Sequence, residues 1–504
     1  NMPYRISRRD EYPSWIGLIF VFNLIVGTGA LTLPAVFAKA GWLLGLLVVT
    51  FLAFISYVTV TFVIETMACA NAVLHWQRLQ LLKRDRAMMD DEFENNDAPD
   101  VVPTATTSND SSDSSIEHTP LFSQRSRYYV LDNKIELGEM AGLFFDDLGR
   151  ILFYLCIAIY LYGDLSIYLA AVSKTLRDVI CASNMSSNGT SDSYDSELCW
   201  EDHTLTRLDV YRLSLIGFVM LLGPFTFFNI QKTKYIQMLT GLLRWIAFMI
   251  MIDIAVDKLV RYGPSGHPPA ANIMGLPSLF GVCVYSFMCH HSLPSLLAPI
   301  NDKQRIKSLI FVDFTLICSF YLFLALTGAF AFANLEDLYT LNFVPNSEQT
   351  SVVLKVLEYF LALFPVFTLS ASFPIIAITL RNNLQTLFLD TSRLESYNIL
   401  QRRLLFPLLA ISPPIIVTYF TESLTGLVGF TGSYAGTGIQ YFIPIALVYS
   451  ARKTCTELLG QGIINEYRSP FRSTGWIIFV LLWACACVIL VTVNFFMIAN
   501  KSGI

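Results

Sequence analysis

The sequence predicts an all-α polytopic membrane protein of about eleven transmembrane helices. Ten form a five-plus-five inverted repeat, helices 1 and 6 are broken in mid-membrane, and one extra helix follows. Three observations predict it. The composition is too oily for water: of 504 residues, 54% are hydrophobic and 14% charged, and the mean hydropathy is +0.53. Soluble domains run to about 45–50% apolar and about 25% charged. The apolar residues gather in runs of about 20, the length that crosses about 30 Å of hydrocarbon. Two of these runs, five spans apart, are interrupted by glycine, proline and polar residues.

The runs lie at about 15–37, 43–66, 151–172, 209–229, 235–256, 277–299, 308–332, 352–379, 403–420, 423–449 and 474–498. In hydrocarbon every backbone N–H and C=O has to be satisfied within the segment, so these runs are helices; the short alternating segments of a β-barrel are absent. The chain divides into an N-terminus at 1–14, spans 1–2 at 15–76, an acidic loop at 77–150 and spans 3–5 at 151–256. Spans 6–10 follow at 257–450, then a loop at 451–473 and span 11 with the C-terminus at 474–504. The first run exceeds the apolar core of a signal peptide, about 7–15 residues, and a second span follows at once, so no cleavage is expected.

Lys and Arg orient the spans. With 1–14 in the cytosol, that side receives Arg5, Arg8, Arg9, Lys232, Lys234, Lys303, Arg305 and Lys307, and later Arg381, Arg393, Arg402, Arg403, Arg452, Lys453, Arg468 and Arg472. The opposite short loops at 333–351 and 421–422 carry none, which is the positive-inside asymmetry. An odd number of spans then puts the C-terminus on the lumenal or extracellular side. The loop at 173–208 is expected there too: it holds two glycosylation sequons, at Asn184 and Asn188. Cys181 and Cys199, the two cysteines outside the spans on that side, are expected to pair in an oxidising compartment. Cys156, Cys318 and Cys485 lie in spans and read as small apolar side chains.

Residues 77–135 form a long polar insertion with Asp90, Asp91, Glu92, Glu94 and Asp97, followed by a Ser/Thr/Asp run at 104–119. It lacks the apolar surface to offset ordering entropy and is expected to be a disordered cytosolic loop. Tyr128-Tyr129-Val130-Leu131 has the form of a tyrosine-based sorting signal, and Glu117 with Leu121 and Phe122 that of a dileucine signal. Sorting or regulatory proteins are therefore expected partners of this loop, in a plasma or endolysosomal membrane.

Span 1 reads from Phe22 and Asn23 through Gly27, Thr28, Gly29 and Ala30 to Pro34. Its two glycines allow the backbone to unwind at a depth where that is tolerated only against protein or a watery cavity. A helix restarting near Gly29 would aim free N–H groups and its positive dipole end at an anion. A packing face of small residues would look the same. Span 6 separates the two readings. It runs from Gly281 through Tyr285, Ser286, Phe287, His290 and His291 to Pro294, again interrupted. Paired interrupted helices in corresponding positions point to an inverted-repeat transporter with its solute between the repeats.

Charges inside spans carry a functional presumption. Asp164 lies near the middle of span 3 and is a candidate proton carrier or a buried structural partner; Arg244, Asp253, Asp313 and Glu358 are alternatives or ion-pair partners. His290, which titrates nearer neutrality, is a second proton candidate. No metal site is expected from Cys289-His290-His291, because adjacent residues do not converge on one side of a helix. No catalytic set, nucleotide loop or nucleic-acid fingerprint can be assembled, so neither an enzyme nor a nucleic-acid partner is expected, and no cofactor beyond a coupling ion.

Three stretches resemble the amino acid/auxin permease family of the amino acid–polyamine–organocation superfamily. They are Asn23, Gly27, Gly29, Leu31 and Pro34 of span 1, Ser286-Phe287-Met288-Cys289-His290 of span 6, and Gly429-Phe430-Thr431-Gly432-Ser433 of span 10. The resemblance covers all eleven spans. It implies an amino acid whose carboxylate meets the amides of Gly27, Thr28, Gly29 and Ala30 and whose amino group meets carbonyls near Tyr285, Ser286 and Phe287. In sodium-coupled relatives the ion lies between unwound span 1 and a span 8 hydroxyl, which implies Asn23 with Thr368 or Ser372 here. Sodium and proton coupling both stay open. The two functions expected are coupled amino-acid transport and, as the alternative, a solute-binding membrane sensor or scaffold that signals through its cytosolic segments.

Overall fold

The computed structural model describes residues 11–96, 128–181, 198–200, 205–227, 234–344, 352–389, 404–460 and 463–502. These are almost wholly helical; among the described residues there is no β-strand, and the isolated bridges include Tyr12–Ile300 and Leu198–Thr206. The chain is an integral multi-pass membrane protein. Among the described residues seven helices are long and apolar enough to cross a membrane: Trp42–Asp85, Asp147–Ile180, Arg207–Phe227, Met238–Tyr262, Ile306–Ala331, Leu354–Phe388 and Thr474–Phe496. An eighth is the pair α1 (Ser14–Ile25) and α2 (Thr28–Ala40), bent by 56° at its break.

The elements that follow are α3 (Trp42–Asn96), α4 (Leu137–Phe144), α5 (Asp147–Ile180), α6 (Arg207–Leu222) and α7 (Lys234–Tyr262). Then come α8 (Leu276–Ser286), α9 (Leu293–Leu297), α10 (Ile306–Ala331), α11 (Val352–Phe388), α12 (Phe406–Phe420), α13 (Leu424–Thr431), α14 (Ile443–Leu459) and α15 (Thr474–Ser502). The segment expected as span 6 is divided into α8 and α9. The segment expected as span 10 is divided by two π turns, Gly432–Gly436 and Gly438–Phe442, a device common beside functional sites. The glycines around them let the helices approach closely. A Cβ on Gly281 would strike the Gly429 carbonyl, one on Gly432 the Gly281 carbonyl, and one on Gly163 the Thr431 side chain.

The acidic insertion is corrected at both ends. Residues 77–96 are not loop: α3 continues through them, because Leu79, Leu81, Lys83, Arg84, Ala87 and Met88 are strong helix formers. Residues 128–136 are irregular but packed into the bundle, and 137–150 are mostly helical. Leu131 and Ile135 are fully buried, and α4 starts with a capping box between Glu136 and Glu139 before α5 begins at Asp147. The tyrosine-based signal is also corrected, since Tyr129 is 7% exposed and Leu131 0%, so no linear peptide is presented there. The dileucine pattern lies outside the described residues. The loop expected at 173–208 is likewise helical as far as Ile180.

Ion pairs pin both ends of the bundle. At one end the buried Arg177 meets Glu422 at 2.6 Å and Asp178 at 2.8 Å, Arg207 reaches Asp178 at 3.2 Å, and Cys181 is bonded to Cys199. At the other, Glu65 of α3 takes a two-pronged bond from Arg452 of α14, both contacts 2.8 Å, and accepts the Ser469 backbone N–H.

Candidate functional site

A backbone break in apolar surroundings frees donors and acceptors that need partners. At the first break the Val26 N–H still reaches Phe22 O at 2.8 Å and closes α1, while Ala30 N–H reaches Gly27 O at 3.2 Å and opens α2. The carbonyls between are served from other helices. Arg244 of α7 donates one guanidinium nitrogen, Nη1, to Val26 O at 2.8 Å and also to Asn23 O. Tyr321 of α10 donates towards Ile25 O and Ser286 O, both at 3.0 Å. One hydroxyl thereby touches both breaks.

The second break, Phe287 to Ser292, is served mostly by itself. Met288 N–H reaches Tyr285 O at 3.2 Å, and Ser292 and Leu293 N–H reach Cys289 O at 3.1 and 2.9 Å. Pro294 in the first turn of α9 costs no bond, because that N–H has no helical partner. The two breaks touch at Gly29, where a Cβ would lie 2.5 Å from Ser286 Oγ and 2.7 Å from Ser286 Cα. At Gly27 a Cβ would meet nothing within 4 Å. Gly29 is required by contact, whereas Gly27 faces open space.

That space is a cavity of about 650 Å³. It runs from Gly27, Thr28 and Gly29 past Asp164, Tyr160 and Tyr285 to Glu136, Glu139 and Thr386, near the Asp147 end of α5. At its inner end three side chains from different helices converge. The Tyr285 hydroxyl donates a short bond to Asp164 Oδ1 and lies 3.0 Å from Thr28 Oγ1. A phenol has one hydrogen, so when that hydrogen goes to the carboxylate, the Thr28 hydroxyl is the donor to the phenol. At the mouth, burial raises the Glu139 carboxyl from its ordinary value, opposed by the Glu136 backbone N–H it accepts at 3.1 Å.

The expected site residues separate on this geometry. Asn23, Gly27, Thr28, Gly29, Asp164, Tyr285 and Ser372 line the cavity. Ala30, Ser286 and Phe287 are buried beside it: Ser286 Oγ donates to Val282 O at 2.7 Å, and the Phe287 ring lies 5.2 Å from that of Tyr321. Thr368 lines a niche of about 10 Å³ with Gly27, Thr28, Leu31 and Arg244, and its hydroxyl donates to Phe364 O at 3.0 Å. The proton candidate His290 is turned away from the cavity, fully buried with Nε2 2.8 Å from Thr59 Oγ1. Its neighbour His291 lines the cavity instead. Adjacent positions on a turn point in different directions, and nothing in the sequence said which would face inward. Among the described residues no group of three His, Cys, Asp or Glu could hold a metal. Asn184 and Asn188 lie outside the described residues.

Sequence reasoning singled out Arg244 only as a charge within a span, and missed Tyr321, Glu136, Glu139 and His291 as parts of the site. The lone charge was a signal for Arg244; a tyrosine in an aromatic-rich span was none for Tyr321.

Two helix breaks in contact beside a cavity agree with the sequence comparison. Residues 13–75 and 124–491 match the family described as transmembrane amino acid transporter protein. The chain belongs to that family. It is a family of transporters rather than enzymes. Among its relatives, the transmembrane protein 104 homolog of Drosophila melanogaster is 54% identical over 512 residues, covering 98% of this chain and 100% of that one. Transmembrane protein 104 of Homo sapiens is 47% identical over 504 residues, 98% of each chain. The Dictyostelium discoideum homolog is 34% identical over 520 residues, 96% of this chain and 97% of its own.

Proposed function

We propose that the chain is a secondary active transporter of amino acids, working by alternating access between two five-span repeats and driven by a proton or sodium gradient. The observation that carries this reading is the pairing of opposite poles at the inner end of the cavity. The start of α2 offers backbone N–H groups and the positive end of a helix dipole to a carboxylate, with Gly27, Thr28 and Gly29 lining the cavity. Asp164, joined to Thr28 through the Tyr285 hydroxyl, offers a negative partner to an ammonium group. A zwitterion needs both within a few ångströms. The Asn23 carboxamide, buried without a hydrogen-bond partner at the cavity edge, is available as a further polar contact for the solute.

The membrane arrangement follows the Lys and Arg distribution, with the N-terminus and cavity mouth in the cytosol and the Arg177–Glu422 end lumenal or extracellular. On that reading this is the inward-facing form, with eleven spans counted when α8 with α9 and α13 with α14 are each taken as one. Proton coupling has a physical route through Asp164. Protonating it lets the carboxyl donate to Tyr285 and frees the phenol to donate to Thr28, reversing the bonds at the first turn of α2.

Uptake and efflux of a labelled amino-acid panel in proteoliposomes, under imposed proton or sodium gradients, tests the reading. Flux of at least one amino acid above protein-free vesicles is expected, with a pH dependence that Asp164→Asn abolishes. The packed segment around α4, whose Glu136 and Glu139 line the mouth, favours a second reading as a solute sensor. Saturable amino-acid binding with no flux under any gradient would leave that second reading and remove the first.

A further inference from the structure

We infer that Arg244 is a tethered cation filling the place at the first break where a mobile sodium ion would bind, so the protein's conformational cycle does not use sodium. The inference deepens the transport reading, on which its bearing on coupling rests. In transporters with broken helices, a coupling ion is held by carbonyls of the unwound segment. Here the carbonyls of Asn23 and Val26 accept from the Arg244 guanidinium, and that of Ile25 accepts from the Tyr321 hydroxyl. The donors are built into the chain, and the guanidinium nitrogen stands against the Asn23 and Val26 oxygens, where an ion held by them would have to sit.

The surroundings agree. Arg244 is 9% exposed, and the titratable groups facing it are the phenols of Tyr168, Tyr285 and Tyr321. Its charge is therefore met by carbonyl and hydroxyl dipoles, the same groups that would dehydrate a small cation. The niche between Arg244, Gly27, Thr28 and Thr368 holds about 10 Å³, which is room for one water-sized atom at most. The Asn23 side chain lies against Gly241, three residues before Arg244 and so on the same face of α7. Any ion approaching Asn23 would meet a fixed positive charge, and like charges this close in apolar surroundings repel strongly.

The test uses the full chain in two equimolar salts, sodium chloride and choline chloride, at fixed pH, and reads thermal unfolding and solute flux. The expected result is a wild-type midpoint equal in both salts to within about 1 °C and flux unchanged within about twofold. A sodium-specific rise of about 3 °C or more, the scale of a saturated ligand site, would overturn the inference. Arg244→Ser should have a lower midpoint in choline, partly restored by sodium once the carbonyls are free. A serine variant as stable as wild type in both salts would also overturn it. Arg244→Lys, which keeps a tethered charge, should fold in choline and carries the comparison where Arg244→Ser does not fold. Flux absent in both salts with an unchanged midpoint removes the transport reading and leaves the tethered cation standing; sodium-driven flux with a sodium-raised midpoint does the reverse.

Discussion

The two broken helices solve one problem in opposite ways. At Val26–Gly27 the freed carbonyls are met by Arg244 and Tyr321, from helices more than two hundred residues away in sequence. At Phe287–Ser292 the backbone turns back on itself, through Met288, Ser292 and Leu293, and the nearby His290 side chain is held by Thr59. The first break is thus supported from outside and the second from within. A break held by remote side chains can be loosened by moving the helices that carry them, whereas one closed by local turns moves as a unit. The cavity borders both, with Gly27, Thr28 and Gly29 at the first and Met288, His291 and Ser292 at the second.

Substitutions can separate the two. The largest loss is expected from Arg244→Ser, which strips a donor from two carbonyls at the first break. At about 1–3 kcal/mol for each unsatisfied buried group, the cost is roughly 2–6 kcal/mol, read by denaturation of the purified protein. If stability stays within about 0.5 kcal/mol of wild type, the break is not held from outside. Gly29→Ala comes next, because its methyl group must displace the Ser286 backbone; overpacking of this kind costs about 1–3 kcal/mol. Tyr321→Phe removes one hydroxyl and should cost about 1–3 kcal/mol, acting on both breaks since Ile25 O and Ser286 O share that donor. Hydrogen exchange that rises at only one break after this change would contradict the bridging role.

The histidines sharpen the comparison further. His290→Gln should lower stability by about 1 kcal/mol through the Thr59 contact and leave the pH profile of flux in place, whereas His291→Gln should alter that profile, since His291 lines the cavity. Reversed effects would mean that the second break turns the other way in the working protein. Gly27→Ala is the smallest in stability, within about 0.5 kcal/mol, since its Cβ meets nothing. It should nevertheless weaken solute binding by intruding on the cavity, an effect that binding isotherms of wild type and variant resolve. Equal affinity would place the solute elsewhere.

Much of this was legible in advance. Hydropathy located the apolar helices, because burying a span in lipid demands a run of apolar residues whatever it packs against. Gly27, Gly29 and Pro294 marked both breaks, because interrupting a helix leaves a local trace in residue type. The insertion after span 2 was misread at 77–96 and 128–150 because its acidic composition was averaged over stretches with different fates. Good helix formers extend α3, and Leu131, Ile135 and Leu137 are buried.

By itself, then, the sequence determined a helical membrane protein with two interrupted spans and an isolated charge in several of the others. Only the tertiary structure decided what those charges do. It turned His291 rather than His290 to the cavity, joined Asp164 to Thr28 through Tyr285, and brought Arg244 to carbonyls 218 and 221 residues away. The physical reason is that residue type fixes a local backbone preference. Which donor meets which carbonyl depends on how distant helices pack.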